Sequence, residues 1–144
     1  MIMYFDTNVL LDVLLFRTPH VEHSARALSF CANGKARGMF SSLSACDMVY
    51  ILGRCGFSKS ESKERVLTLA KAIGMQDLEA MFVIDALQSS SSDFEDAVQM
   101  LCAMSNHANM IVTRDKTGFA NATIPVLTPT EFLNMEIDDT EATI

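Results

Sequence analysis

Four aspartates occupy positions where a chain gathers chemistry. Asp6 closes the apolar run Ile2-Met3-Tyr4-Phe5, and Asp115 follows the run Asn109-Met110-Ile111-Val112-Thr113. Asp47 falls in the first turns of the helix expected after a second strand, and Asp96 in the first turn of a helix expected over residues 93–106. In an open α/β sheet, ligands bind just beyond the carboxyl ends of the strands. All four acids could therefore meet at one rim. Converging carboxylates repel one another and would take up protons. A hard dication such as Mg²⁺ or Mn²⁺ removes that conflict, because it takes oxygen ligands and keeps several waters. It can also lower the pKa of a bound water and polarise a phosphate oxygen. The chemistry implied is phosphodiester hydrolysis.

Each acid also has a plainer reading. Taken alone, Asp93 and Asp96 read as helix caps and dipole partners. Asp12 reads as an exposed or locally bonded helix residue. Asp6 differs, since an acid directly after a buried strand is costly unless something uses it. The metal reading rests on the ensemble.

The elements that must position these residues alternate. Residues 2–5 read as a strand, and Asp6 to Leu15 as a helix with Thr7 or Asn8 as cap. Pro19 marks a break, and Val21–Ala32 carries a helical pattern that stops at Asn33-Gly34. Gly38–Ser41 is a short strand. A helix through Cys46, Val49, Tyr50 and Leu52 follows, capped by Ser42 or Ser44. Ser58 or Ser60 caps a helix from Lys59 to Ala72. Met81–Ile84 reads as a short buried strand, residues 109–113 as the clearest later strand, and 124–127 as an edge strand. Thr128-Pro129-Thr130-Glu131 starts a last helix. Strands alternating with helices predict a parallel sheet covered on both faces.

With 144 residues and 49% hydrophobic content, one domain over residues 1–134 is expected, followed by an acidic tail over 135–144. Mean hydropathy is +0.21, and no apolar run approaches the roughly 20 residues that span a bilayer. Met1 leads straight into a strand-like run without the flank of a signal peptide, so a cytoplasmic location and no membrane are expected. Cys31, Cys46, Cys55 and Cys102 form no Cys-x-x-Cys pair and are expected as buried free thiols. Net charge is −7, which argues against nucleic-acid binding through overall charge. Part of the excess is local to Glu136, Asp138, Asp139 and Glu141, and residues 1–134 carry about −3.

In order and spacing, the chain resembles the PIN-domain family. The resemblance is carried by Phe5-Asp6-Thr7-Asn8-Val9-Leu10-Leu11-Asp12, by Ser42-Leu43-Ser44-Ala45-Cys46-Asp47 with Val49-Tyr50-Ile51-Leu52, by Asp93-Phe94-Glu95-Asp96-Ala97-Val98-Gln99, and by Ile111-Val112-Thr113-Arg114-Asp115 before Phe119. The closing run from Ile124 to Leu133 fits as well. The resemblance implies a three-layer α/β/α fold with a short parallel sheet and a Mg²⁺- or Mn²⁺-dependent ribonuclease. It carries the family's acidic positions to Asp6, Asp47, Asp96 and Asp115, with Thr7, Asn8, Asp93 and Thr113 as polar support. Small single-domain members are often VapC-type toxins held by an antitoxin, and often homodimers.

Two departures stand out. The second acid is usually Glu, and here it is Asp47, one methylene shorter. Many members carry a further acid just before the aromatic, where this chain has Gly118.

Arg114 and Lys116 flank Asp115 and are expected to hold a substrate phosphate. Arg17, His20, His23 and Arg26 form a second cationic group. Lys59, Lys63, Arg65 and Lys71 read as a solvated face. The apolar helices near 10–32 and 46–57 are candidates for a partner groove. The leading expectation is a metal-dependent endoribonuclease, the toxin of a toxin–antitoxin pair. The alternative is a catalytically weak or inactive PIN module that binds RNA or a protein. A phosphotransfer enzyme of the haloacid-dehalogenase or receiver type ranks last, because Asn8 stands where an Asp-x-Asp motif needs its second Asp.

Overall fold

Side chains alternate along the first strand, and each set buries on its own face of the sheet. In a computed structural model of the chain, which describes residues 1–141, β1 spans Ile2–Phe5 and packs Met3 and Phe5 to one side and Tyr4 to the other. Phe40, Met110 and Val112 join the first side, and Met39 and Ile111 the second. A parallel sheet buried on both faces needs this nearly continuous apolar character.

Five strands lie in the order β3-β2-β1-β4-β5, all parallel. β2 is Arg37–Ser41, β3 Met75–Gln76, β4 Met110–Val112 and β5 Val126–Leu127. One layer of helices comprises α1 (Thr7–Leu14), α2 (Val21–Ala32), α3 (Ser42–Arg54), α4 (Lys59–Ile73) and α7 (Pro129–Glu141). The other comprises α5 (Ala80–Gln88) and α6 (Phe94–Ser105). This is the expected three-layer α/β/α arrangement, with the 124–127 run as its edge strand.

Local signals set the helix ends. Ser58 and Glu61 form a reciprocal capping box at the start of α4. The α3 cap is Ser41, one residue earlier than expected, with Ser44 N–H donating to its Oγ at 3.2 Å. Asp6, not Thr7 or Asn8, stands at the N-cap position of α1, and its carboxylate makes no cap hydrogen bond. α7 runs past Asn134 to Glu141, and residues 142–144 of the expected tail lie outside the described residues.

Three expectations are overturned. Met81–Ile84 is not a strand but part of α5. Phe82 and Ala86, four residues apart, face the core while Met81, Ile84 and Leu87 are exposed. A short apolar run does not by itself distinguish the two periods. Cys46 and Cys55 are exposed, whereas Cys31 and Cys102 are buried as expected; all four are free.

The third correction is Asp12, which is not an exposed helix residue. It is fully buried, accepts a hydrogen bond from Ser24 Oγ at 2.9 Å and pairs with Arg114 Nε at 2.9 Å. The pair ties α1 to α2 and to the segment after β4. No helix among the described residues is long and apolar enough to cross a membrane.

Removing one partner of a buried ion pair leaves the other uncompensated. Asp12→Ala is expected to lower the unfolding free energy by about 3 kcal/mol, the lower end of the range for such pairs because Arg114 keeps 29% of its side chain exposed. Urea denaturation would show this as a lower midpoint at an unchanged slope.

Candidate active site

The strand order reverses at β1: the chain builds outward to β2 and β3 on one side, and β4 and β5 add on the other. The crevice at that switch point is the expected ligand site of an open parallel sheet. Asp6 sits in it. Its N–H donates to Val112 O at 3.0 Å, so the backbone itself joins the carboxyl ends of β1 and β4. Thr113 Oγ1 donates to Asp6 Oδ2 at 2.8 Å and fixes the carboxylate. Thr7 Oγ1 donates to Ser44 Oγ at 2.8 Å, which holds α1 to the first turn of α3. Asp47 follows Ser44 by three residues and therefore lies near the same helical face.

A cleft of about 390 Å³ opens here, lined by Asp6, Asp47, Asp93, Glu95, Asp96 and Asp115 together with Thr7, Asn8 and Gln99. Its lining includes no Lys, Arg or His. Asp6, Asp47, Asp96 and Asp115 line one cleft, and Asp93, Thr7 and Asn8 line it with them. Thr113 supports it from behind.

Glu95 and Gln99 were not expected as site residues. Their signal was present in the spacing. Glu95, Asp96 and Gln99 stand at positions i, i+1 and i+4 of one helix, so Gln99 shares a face with both acids.

The carboxylates disturb one another as crowding requires. Burial raises the Asp6 carboxyl above its ordinary range, opposed by Thr113, by the first amides of α1 and by the Gln99 side chain. Asp96 is pushed up to about 7, by burial first and then by the charges of Asp6, Asp93 and Asp115. Glu95 is also raised to about 7, chiefly through a hydrogen bond with Asp47 and then through burial. Asp115 moves the other way: hydrogen bonds from Thr117 hold it below the usual carboxylate range.

Two buried oxygens in the cleft, Asp47 Oδ2 and Gln99 Oε1, have no hydrogen-bond donor. Acceptors with nothing to accept from, ringed by carboxylates, suit a divalent cation and its waters. The acids surround the cleft and do not collapse onto one point. Among the described residues, no three His, Cys, Asp or Glu side chains stand close enough to hold an ion as they are.

The two expected phosphate-binding cations lie elsewhere. Arg114 turns to Asp12 and lines a separate cleft of about 260 Å³ with His20, His23 and Thr128–Thr130. Lys116 Nζ donates to Glu131 Oε1 at 2.7 Å, at the start of α7. Gly118 is where Asp96 needs space. A Cβ placed there would stand 1.8 Å from Asp96 Oδ2 and 2.6 Å from its Cβ.

The family model of the PIN domain matches residues 3–117. No curated protein matches the sequence. Among solved structures, the chain is similar to VapBC2 from Rickettsia felis bound to a DNA fragment from their promoter, at 15% identity and a TM-score of 0.65, covering 88% of this chain and 97% of that one. It is similar to a toxin-antitoxin complex from Klebsiella pneumoniae at 21% identity and TM-score 0.63, with the same coverages of 88% and 97%. FitAcB from Neisseria gonorrhoeae aligns at 20% identity and TM-score 0.61, over 90% of this chain and 99% of that one. At these identities the likeness is one of fold.

Two outcomes are expected from this geometry. Carboxyls raised in the folded state make it bind more protons than the unfolded chain. Their stabilisation is complete below the ordinary values of 3.8 and 4.5 and is lost as pH rises through about 7. In EDTA, the melting temperature should therefore rise as pH falls from about 8 to about 5.5, read by calorimetry. Gly118→Ala should force the Asp96 carboxylate from its place and weaken Mn²⁺ binding by about 10-fold or more, measured by calorimetric titration.

Proposed function

The chain belongs to the PIN-domain family, and on that premise we propose that it is a divalent-metal-dependent endoribonuclease acting as the toxin of a toxin–antitoxin pair. The observation that carries this reading is the cleft at the switch point: six carboxylates without a cationic side chain, and two buried oxygens without donors. The toxin–antitoxin assignment draws its support from the neighbours in R. felis and K. pneumoniae, which are complexes of that kind. It implies an RNA substrate, an antitoxin protein as partner and a homodimer.

In this reading Asp6, Asp96 and Asp115 hold Mg²⁺ or Mn²⁺, with Asp47 binding directly or through water. The ion, when bound, supplies Lewis-acid activation of water and of the phosphodiester. The chain's own residues provide the rest. Thr113 orients Asp6 through Oδ2. The Thr7–Ser44 hydrogen bond sets the approach of α3, and with it Asp47. Glu95, raised to about 7 chiefly through a hydrogen bond with Asp47 and then by burial, adds less negative charge to the cleft near neutral pH than an ordinary carboxylate. Asn8 and Asp93 complete the polar rim. Lys116 meets a phosphate only by leaving Glu131, and Arg114 is already paired with Asp12.

The test is cleavage of a mixed-sequence single-stranded RNA with Mn²⁺, with Mg²⁺ and with EDTA. Metal-dependent cutting is expected, with a loss of at least about 100-fold in Asp6→Asn. Cutting that survives in the variant at the parent rate sinks the assignment. Metal binding by folded protein without cutting under any condition would favour the binding-module reading.

A further inference from the structure

Gln99 is the residue the acidic cleft does not explain. α6 presents it on the face that carries Asp96 and Glu95, and it is 1% exposed. A side-chain amide has an oxygen that accepts and a nitrogen that donates. Gln99 lines the cleft with Asp6 and lowers the Asp6 carboxyl pKa, as a hydrogen-bond donor facing it does. A carboxylate only accepts, so the N–H side must face Asp6 and Oε1 must face away from it. Oε1 then finds no donor.

An unpaired buried acceptor costs about 1–3 kcal/mol. At this position Leu or Met would fill the same space without that penalty. The second orphaned oxygen, Asp47 Oδ2, comes from α3 and lines the same cleft. Two donorless oxygens from different helices, in a cleft ringed by carboxylates, share one electrostatic need, which is a positive partner between them.

We propose that Gln99 belongs to the cation site, with its amide N–H fixing Asp6 and its Oε1 accepting from a hydrated divalent ion as a neutral member of the ligand shell. The proposal rests on the reading of the cleft as a metal centre. A neutral oxygen suits the position, because hard cations take amide carbonyls as ligands. Another carboxylate would add to the repulsion already seen at Asp96 and Glu95.

The probe is Mn²⁺ alone, titrated against the full chain and followed by the paramagnetic resonance of free Mn²⁺, beside thermal melts in EDTA. Gln99→Met should weaken Mn²⁺ binding by about 10-fold, the size of loss typical of supporting partners, and should melt in EDTA at or above the parent temperature. A merely structural glutamine predicts the reverse, with Mn²⁺ affinity within about two-fold of the parent and a lower melting temperature, and that result overturns the proposal. Gln99→Glu restores an oxygen but not the N–H, and should bind Mn²⁺ more tightly than Gln99→Met. Binding as weak as that of Gln99→Met would show that the oxygen is not a ligand, and this arm also decides the matter if the Met variant does not fold. Asp6→Asn separates the two levels. If it keeps parent affinity, the metal centre itself is wrong; if it loses Mn²⁺ while Gln99→Met does not, only the role of Gln99 fails.

Discussion

A carboxylate placed at the carboxyl end of the central strand organises the rest of this molecule. Asp6 is almost fully buried, and Thr113 Oγ1 and the Gln99 amide are the side chains that bond it. Neither brings a full positive charge. Around it, Asp47 arrives from α3, and Asp93, Glu95 and Asp96 from the start of α6. The positive end of the α6 dipole lies among these acids and offsets part of their repulsion. The remainder appears as raised carboxyl pKa values at Asp6, Glu95 and Asp96. A sheet of this strand order must leave a crevice here, and the sequence fills it with one sign of charge. Stability alone would favour a lysine or an apolar residue at several of these positions.

The chain also shows how it treats an aspartate that only holds structure. Asp12 is more deeply buried than Asp6, yet its Oδ2 accepts from Ser24 and pairs with Arg114, while its Oδ1 has no donor. Thr113 and Arg114 are neighbours just past β4, and they serve the two aspartates in turn. Thr113 gives Asp6 a neutral donor, and Arg114 gives Asp12 a cation. Two buried acids on one short helix segment are thus handled in opposite ways. Arginine pairing suits a permanent contact, because guanidinium keeps its charge and its fork geometry. A hydroxyl orients the carboxylate of Asp6 and leaves its charge available to a ligand.

What was legible in the sequence follows the same division. β1, β2 and β4 were readable because short apolar runs flanked by helical periodicity have few other readings, and the acids at their ends stood out against them. Met81–Ile84 was not, because four apolar residues satisfy a strand and one face of a helix equally. The ion pair of Asp12 with Arg114 spans 102 positions of sequence and has no local signature. Arg114 therefore read as a phosphate binder from its neighbour Asp115, when its partner was decided by tertiary packing. Glu95 and Gln99 stood in plain view in the run Asp93-Phe94-Glu95-Asp96-Ala97-Val98-Gln99. Only helical spacing applied to the polar residues, and not just to the apolar ones, would have put Gln99 in the site.

The two departures from the family pattern become one arrangement in three dimensions. Asp47 is a methylene shorter than the usual glutamate, and the Asp47 carboxylate meets Glu95 across from α6 in a shared hydrogen bond. Gly118 removes an acid from the far wall, and the Asp96 carboxylate lies in the space a side chain there would occupy. A Cβ at 118 and the present position of Asp96 are mutually exclusive, so the glycine and the aspartate must be read as a pair. Glu95 and Asp96 both stand in the first turn of α6. That helix carries Glu95, Asp96 and Gln99 on one rigid scaffold, lining the cleft with Asp6 at the N-cap of α1. The cleft draws its acids from separate parts of the chain, with Asp6 past β1, Asp47 on α3, Glu95 and Asp96 on α6, and Asp115 past β4, so its charge depends on how these elements pack against one another.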